Sequence, residues 1–420
     1  MNDVLVIGGG AAGLMSALFA ARAGASVTLL EKNEKLGKKI YITGKGRCNL
    51  TNTAAEDQFL ANVMRNPRFL YASLSALSNR DVMALFEALG VPLKVERGGR
   101  VFPQSDHASD VTRALDRELS RLGVRVRLNA CVSCLTVEQG RVTGACLVGG
   151  EEIRARAVIV ATGGLSYPST GSTGDGWRFA RELGLETKPG LPALVPIETE
   201  EVWPFALSGL SLKNVILRAR GKGKRPLFEE MGELLFTHFG LSGPLALSLS
   251  SALPEQPAGV HLEIDLKPAL DEAALDRRLL RDFQENPNKR LLSILEGLAP
   301  RSLAEALAAL LGDCGLTSGT PVHAVTQAQR RALAALLKGV PLTVRALRGF
   351  GEAIVTRGGL SVKELNPSTL ACKRVEGLYF AGETIDIDAL TGGFNLQLAF
   401  STGALAGQSA ARYATKPAEE

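Results

Sequence analysis

The sequence lacks the features of several protein classes. No apolar run in its 420 residues approaches the roughly 18 that cross a bilayer, so we predict no membrane span. No leader-like segment precedes the first apolar stretch, and we therefore expect a cytoplasmic protein. The net charge is only +5, which permits an anionic partner such as RNA without requiring one. Nothing in the sequence indicates an obligate protein partner.

Cysteine and histidine are also scarce, with six and four residues. Cys131 and Cys134 have C-x-x-C spacing, but the chain offers neither a second such pair nor a suitably spaced histidine. We predict free thiols, a reducing compartment and no bound metal. A redox or zinc role for this pair is the less favoured alternative.

The strongest positive signal runs from Asp3 to Glu31. Residues 4–7 are a continuous apolar run, typical of a buried parallel strand, and they lead into a G-x-G-x-x-G turn at 8–13. Apolar residues at helical spacing follow, and a second apolar run at 27–30 ends at Glu31. This order predicts a dinucleotide-binding βαβ unit, the alternative being a glycine-rich turn that binds nothing.

Each position of this unit has a chemical reason. Gly8 permits the tight turn, Gly10 lets the backbone approach a pyrophosphate, and Gly13 lets helix and strand pack closely. The start of the helix points free N–H groups at the anion. Glu31 can accept hydrogen bonds from a ribose diol, which favours FAD or NAD over NADP.

Residues 32–52 are rich in glycine, lysine and small polar residues and show neither a helical nor a strand period. We therefore predict a long functional loop. Lys38, Lys39, Lys45 and Arg47 can neutralise phosphate, and the glycines let backbone N–H groups converge on a ligand. A basic loop that only faces water is the alternative.

Similar strand-to-glycine signals return later in the chain. Residues 158–161 run into Thr162 and Gly163, and residues 378–381 run into Gly382 and Glu383. The chain between them changes character: 191–267 is rich in Pro and Gly with short β-like pieces, and 268–340 carries leucines at helical spacing. We predict a dinucleotide-binding domain of residues 1–190 and 341–420, interrupted by a β subdomain at 191–267 and a helical subdomain at 268–340.

The inserted β region contains a cluster of basic residues, which predicts a basic hairpin at 213–225. A hairpin that faces water is the favoured interpretation, and contact with nucleic acid is the alternative. The basic side chains are Lys213, Arg218, Arg220, Lys222, Lys224 and Arg225.

Residues 42–52, 161–168, 236–244 and 379–397 together resemble a family of bacterial flavoproteins, the BaiN/YhiN-like FAD-dependent oxidoreductases. The resemblance covers nearly the whole chain. It departs from the family pattern at 370–373, where Leu-Ala-Cys-Lys replaces the Met-Glu-Ser-Lys of many relatives; this could alter a substrate wall. The fold it implies is α/β: a Rossmann-like, glutathione-reductase-like FAD-binding domain, interrupted by a β-barrel-like subdomain and a small helical subdomain.

The resemblance implies FAD as cofactor. Gly8, Gly10 and Gly13 would hold the pyrophosphate, and Glu31 the adenosine ribose. Val132 would meet the adenine through its backbone, residues 161–163 the adenosine side, Glu383 the ribityl chain, and Asn395 and Leu396 the pyrimidine edge of the flavin. The full set of predicted FAD-binding residues is Gly8, Gly10, Ala11, Ala12, Gly13, Glu31, Lys32, Lys39, Gly44, Arg47, Cys48, Asn49, Val132, Ala161, Thr162, Gly163, Gly382, Glu383, Gly393, Asn395 and Leu396.

Relatives have been assigned reduction of conjugated double bonds in oxo-bile acids, dihydrouridine formation in 23S ribosomal RNA, and oxidation of aminoacetone. The first two need hydride from the reduced flavin and a proton from an acid, for which Cys48 and His238 are the candidates. No second G-x-G-x-x-G is present, so NAD(P)H is expected to dock only transiently. Three functions follow: a reductase acting on ribosomal RNA or a small enone, which is favoured; a flavin oxidase of a small amine, producing hydrogen peroxide; and a non-catalytic flavin-binding redox or RNA-binding module.

Overall fold

The computed structural model describes residues 2–416 except 222 and 224, and it divides into two compact units. Unit 1 runs to Ala193 and resumes at Gly349, and unit 2 is Leu194–Arg348. Two of the six basic residues at 213–225, Lys222 and Lys224, lie outside the described residues.

The first segment of unit 1 holds ten strands and seven helices. The strands are β1 Asn2–Ile7, β2 Val27–Leu30, β3 Thr51–Asn52, β4 Leu93–Glu96, β5 Arg100–Pro103, β6 Arg125–Arg127, β7 Val132–Glu138, β8 Arg141–Leu147, β9 Glu152–Val160 and β10 Thr187–Ala193. The helices are α1 Ala11–Arg22, α2 Lys38–Ile42, α3 Glu56–Ala61, α4 Tyr71–Ala76, α5 Asn79–Ala88, α6 Ala108–Arg121 and α7 Asp175–Glu182.

Unit 2 and the second segment of unit 1 follow. The strands of unit 2 are β11 Ile197–Thr199, β12 Ser211–Arg220, β13 Phe228–Thr237, β14 Gly240–Ser242, β15 His261–Asp265 and β16 Val340–Leu347. Its helices are α8 Gly243–Ala252, α9 Glu272–Glu285, α10 Leu291–Glu296, α11 Arg301–Leu310 and α12 Gln327–Lys338. Unit 1 is completed by β17 Val355–Leu360, β18 Leu378–Phe380 and α13 Phe394–Ala414.

The main sheet of unit 1 has a parallel core. Strands β6, β2, β1, β9 and β18 lie side by side in that order and run parallel. Strands β8 and β7 extend the sheet antiparallel from the first half of β9, while β18 pairs with its second half. The continuous apolar run of residues 4–7 is explained by this position, because β1 is paired on both sides and its residues 4–7 are buried.

The last helix, α13, packs directly on the first, α1. A Cβ atom added at Gly403 would lie 2.3 Å from the Ala12 carbonyl oxygen, and one at Gly407 would lie 2.3 Å from the Ser16 carbonyl oxygen. The two glycines therefore let the helix backbones approach more closely than larger side chains would allow. The first and last segments of the chain thus share one core.

Unit 2 combines a barrel with helices. Its six strands close in the order β11-β14-β13-β12-β15-β16. Residues of β12 alternate between buried and exposed positions, with Val215, Leu217 and Ala219 facing the core. The α9 helix buries one apolar face through Leu275, Leu279 and Phe283. The β-barrel of the predicted fold is present as this closed sheet, and the domain bounds at 191–267 and 268–340 stay predictions.

The segment at 32–52 departs from the prediction of a long irregular loop. Residues 38–42 form the short helix α2, which follows Gly37 at φ 68°, and residues 51–52 form β3. The helix is too short to show a helical period, and β3 is stabilised by pairing with the distant β5. Neither element is therefore visible in the local pattern.

Candidate cofactor site

A cleft in unit 1 lies at the carboxyl ends of the parallel strands. Residues directly after β1, β2, β9 and β18 all line it, which is where open α/β sheets bind ligands. The lining includes Gly8, Gly10, Ala11, Ala12, Glu31, Lys32, Lys39, Val132, Ala161, Thr162, Gly163, Gly382, Glu383, Asn395 and Leu396. Fifteen of the twenty-one predicted FAD-binding residues are thus brought together here.

The glycines of the turn at 8–13 leave space for two different groups. A Cβ atom at Gly8, whose φ is 106°, would lie 2.4 Å from the Ala161 carbonyl oxygen, and one at Gly13 would lie 1.7 Å from the Gly8 carbonyl oxygen. At these two glycines the missing side chain therefore makes room for neighbouring backbone atoms. Gly10 has no atom within 4 Å of an added Cβ and lines the cleft. The space beside Gly10 therefore fits a pyrophosphate that approaches the backbone.

Two helices begin at the cleft. Helix α1 starts at Ala11 and α13 starts at Phe394, and neither carries an acidic residue in its first turn. The free N–H groups and the positive dipole end of each helix therefore face the ligand space. The side chain of Asn395 donates to the Ala389 and Leu390 carbonyl oxygens at 2.7 and 3.2 Å. These bonds hold the segment before α13 in place.

Glu31 is buried and held in one orientation. Its Oε2 accepts a hydrogen bond from the Gly9 N–H at 2.7 Å, and its Oε1 accepts from the Asn33 N–H at 2.8 Å and the Asn33 Nδ2 at 2.6 Å. Each carboxylate oxygen can accept about two hydrogen bonds, so Oε2, which accepts one here, keeps capacity for a ribose hydroxyl. These three hydrogen bonds to protein groups hold the carboxylate in one orientation.

Glu383, another cleft residue, is fixed in a similar way. Its Oε2 accepts a hydrogen bond from the Lys39 Nζ at 2.6 Å, and its Oε1 accepts from Ser166 Oγ at 3.0 Å and the Thr356 N–H at 2.6 Å. This network joins Glu383 to three other stretches that are distant in sequence. Lys32, another cleft residue, forms an ion pair of 2.7 Å with Asp175.

Six predicted FAD-binding residues do not line the cleft: Gly13, Gly44, Arg47, Cys48, Asn49 and Gly393. Arg47 forms ion pairs with Glu96 at 2.7 Å and Asp106 at 3.2 Å, and its guanidinium lies 4.1 Å from the Phe102 ring centre. With its amide oriented to suit its neighbours, Asn49 accepts from the Gly393 N–H at 3.0 Å. Around Arg47 and Asn49 this loop is therefore stabilised by protein contacts.

The two predicted proton donors lie in different units. Cys48 is completely buried in unit 1, and burial raises the pKa of its thiol to about 12. Its φ of 61° is unusual for a residue other than glycine. His238 is exposed in unit 2, between β13 and β14, where its ring lies 4.9 Å from that of Phe239.

Asp388 was given no role from the sequence. Its side chain is 1% exposed, and no described residue donates a hydrogen bond to either carboxylate oxygen. The Arg65 Nε lies 3.2 Å from its Oδ1. Burial raises the pKa of Asp388 to about 6. The sequence signal was the D-x-D spacing of Asp386 and Asp388, but nothing in the pattern shows that one of them is buried.

The described residues offer neither a metal-binding cluster nor a membrane-spanning helix. Across residues 2–416 without 222 and 224, no group of three or more His, Cys, Asp or Glu side chains is placed to hold a metal ion. Over the same residues, no helix is long and apolar enough to span a bilayer.

Comparisons with known proteins agree with this geometry. The model of a family described as HI0933-like protein Rossmann domain matches residues 2–409. A 3-dehydro-bile acid delta(4,6)-reductase of Clostridium scindens is 32% identical, over 98% of this chain and 99% of its own. A ribosomal RNA dihydrouridine synthase of Haemophilus influenzae is 31% identical, over 96% of each chain.

A solved structure supports the fold. The 3-ketosteroid delta1-dehydrogenase of Sterolibacterium denitrificans matches with a TM-score of 0.54 and 17% identity, over 98% of this chain and 99% of its own. At this identity the likeness concerns the fold alone. The family match over almost the whole chain, with two relatives above 30% identity, is decisive. This chain belongs to the HI0933-like family of FAD-binding Rossmann proteins, which are FAD-dependent oxidoreductases.

Proposed function

We propose that this protein is a reductase that uses FAD to saturate a carbon–carbon double bond conjugated to a carbonyl group. The observation that carries the proposal is the shared chemistry of the two relatives described above. Both names denote reduction of such a bond, one in a bile acid and one in the uracil ring of ribosomal RNA, and both relatives match nearly the whole chain.

The residues of the cleft suit the cofactor of this reaction. Bound FAD would supply the two electrons. Gly10 and the α1 N-terminus would hold the pyrophosphate, while Glu31 would accept hydrogen bonds from the ribose. Glu383, fixed by Lys39, would accept hydrogen bonds from the ribityl hydroxyls. The N-terminus of α13 would favour negative charge near the pyrimidine edge.

The reaction also needs a proton, and we propose Cys48 and His238 as its candidate sources. The high pKa of the Cys48 thiol keeps it protonated at neutral pH, as an acid requires, but the buried thiol would need a local opening to reach a substrate. His238 is already exposed. Cys48→Ala and His238→Gln separate the two: loss of the donor slows substrate reduction while the reduction of FAD by the nucleotide proceeds at its normal rate.

The substrate is the open part of the proposal. Arg218 pairs with Glu229 at 2.9 Å, and Arg220 pairs with Glu263 at 2.7 Å. These acidic partners offset the charge of two of the six basic residues that suggested RNA contact by the hairpin. We therefore define the substrate by its conjugated double bond and test the RNA and the small enone side by side. We also propose NAD(P)H as reductant and the cytoplasm as location.

The first experiment is anaerobic stopped-flow of the flavin-loaded protein, following loss of absorbance near about 450 nm after NADH or NADPH is added. We expect one nucleotide to reduce the flavin quickly, air to reoxidise it slowly, and either 23S RNA or a steroid enone to reoxidise it quickly. Reduction by a small amine but by neither nucleotide, with rapid peroxide formation in air, would establish the oxidase instead. Bound FAD that no donor reduces would indicate a non-catalytic module.

A further inference from the structure

The C-x-x-C motif suggests a pairing of Cys131 with Cys134, but the fold brings Cys134 next to Cys146 instead. Cys134 on β7 lies directly opposite Cys146 on β8 in the antiparallel ladder. Residues directly opposite in such a ladder project to the same face, with Cα atoms about 4.5–5.5 Å apart, and a disulfide spans this distance. Both cysteines are free thiols and partly exposed.

A second observation places the two thiols close together. The pKa of the Cys146 thiol is raised. Burial is the larger cause, and the neighbouring Cys134 thiol is the next. Ser133 Oγ, between Cys134 and the cleft residue Val132, donates to the Cys146 carbonyl oxygen at 3.0 Å and so holds the two strands together at this point. Cys131 lies before β7, and its carbonyl oxygen accepts from the Val148 N–H at 2.8 Å. The backbone of Cys131 is therefore hydrogen-bonded to Val148 and not to another cysteine.

We propose that Cys134 and Cys146 form a thiol-oxidation site whose co-substrate is a peroxide. One thiolate attacks hydrogen peroxide, the O–O bond breaks, a sulfenic acid forms, and the departing hydroxide takes up the proton that the thiol had released and becomes water. The second thiolate attacks the sulfenic sulfur, the S–O bond breaks, a disulfide forms, and the departing hydroxide takes up the second thiol's proton to give a second water. In total, two thiols lose two electrons and two protons, and one peroxide is reduced to two waters.

The Cys134–Cys146 site lies close in sequence to a residue that lines the cofactor cleft. β7 begins at Val132, which lines the cleft at the predicted adenine position, and Cys134 is two residues further along. The disulfide would therefore cross-link the β7–β8 ribbon beside the cofactor cleft. The proposal does not depend on the reductase activity, because it concerns only these thiols and a peroxide.

The test is exposure of the flavin-loaded protein to hydrogen peroxide, followed by alkylation of remaining thiols in denaturant and mass analysis. We expect a mass loss of about two units before alkylation and reversal by dithiothreitol. Trypsin cuts after Arg127, Arg141 and Arg154, so Cys131 and Cys134 share one peptide and Cys146 lies on the next. The predicted disulfide joins the two peptides, whereas a Cys131–Cys134 disulfide leaves them separate.

Three matched variants complete the test. Cys134→Ser and Cys146→Ser should each abolish the link between the peptides, and Cys131→Ser should retain it. Flavin content and circular dichroism check that each variant is folded. Separate peptides after oxidation, or loss of the link in Cys131→Ser with retention in Cys134→Ser, would overturn the proposal.

Discussion

The turn at 8–13 and the turn at 43–49 are both rich in glycine. They differ in whether protein atoms fill the space beside Gly10 and beside Gly44. An added Cβ at Gly10 meets no atom within 4 Å, whereas one at Gly44 lies 2.8 Å from the Asn49 backbone nitrogen. The first turn leaves a space beside the cleft, and the second is closed by its own chain. Glycine content alone cannot distinguish a turn built to receive a ligand from one completed by protein.

The largest expected effect is at Gly13, the most closely packed position of the open turn. Gly13→Ala places a methyl group 1.7 Å from the Gly8 carbonyl oxygen. Since backbone must move, we expect a loss of unfolding free energy of at least about 3 kcal/mol. Urea unfolding of the variant and the wild type measures it. An unchanged midpoint would show that the turn is not built as described.

Asp388 is a second open position, because no described group donates to its carboxylate oxygens. Its pKa of about 6 in the folded state exceeds the ordinary 3.8, so its contribution to stability is complete below pH 3.8 and is lost as the pH rises to about 6. The loss is of the order of 3 kcal/mol at about 1.4 kcal/mol per pKa unit.

Asp388→Asn should therefore stabilise the protein at about pH 7.5 and have less effect at about pH 4.5, as measured by urea unfolding at both values. Asp116→Asn, at an exposed position of α6, controls for the loss of a negative charge in the same unit. A variant less stable than wild type at the higher pH would instead show that the ion pair with Arg65 is net stabilising.

Gly10→Ala should separate ligand binding from folding. Its φ of −82° suits alanine, and the added methyl meets no protein atom. We expect apo-protein stability to change by less than about 1 kcal/mol. We expect the FAD dissociation constant to rise about ten- to a hundredfold, because the methyl group would occupy the space proposed for the pyrophosphate. Titration of apo-protein with FAD measures this, and unchanged affinity would remove Gly10 from the proposed site.

Gly44→Ala should give the reverse pattern. Gly44 has φ 58°, and a Cβ added there would lie 2.8 Å from the Asn49 backbone nitrogen. We expect stability to fall by about 1–2 kcal/mol and FAD affinity to change less than in Gly10→Ala. The same unfolding and titration measurements apply. A loss of affinity as large as in Gly10→Ala would place Gly44 at the cofactor.

The smallest effect is expected at Lys45. This exposed residue has φ 59°, a conformation that costs a Cβ-bearing residue about 1 kcal/mol. Lys45→Gly should raise stability by about 0.5 kcal/mol, because relief of strain exceeds the added entropy of the unfolded chain. Lys45→Ala removes the same side chain but keeps the Cβ, so it should not stabilise. Equal effects of the two variants would contradict a strain at this position.

The sequence was most informative where a local pattern has one physical solution. The order of strand, glycine turn, helix and Glu31 is confined to 29 consecutive residues, and all of these elements are present. It was less informative for the loop at 43–49, because a basic glycine-rich stretch has the same composition whether it binds phosphate or packs on Phe102. The burial of Asp388 and the pairing of Cys134 with Cys146 depend on distant chain segments, which no local pattern shows.

The contact between α1 and α13 has a consequence for synthesis of the protein on the ribosome. Unit 2 is a continuous stretch, so it can fold as soon as it emerges. Unit 1 cannot, because its first helix and the second half of β9 must wait for β18 and α13, made more than 200 residues later. Until then an unpaired strand edge and an apolar helix face stay uncovered, and chains ending before Leu378 should be recovered mainly as aggregates or chaperone complexes.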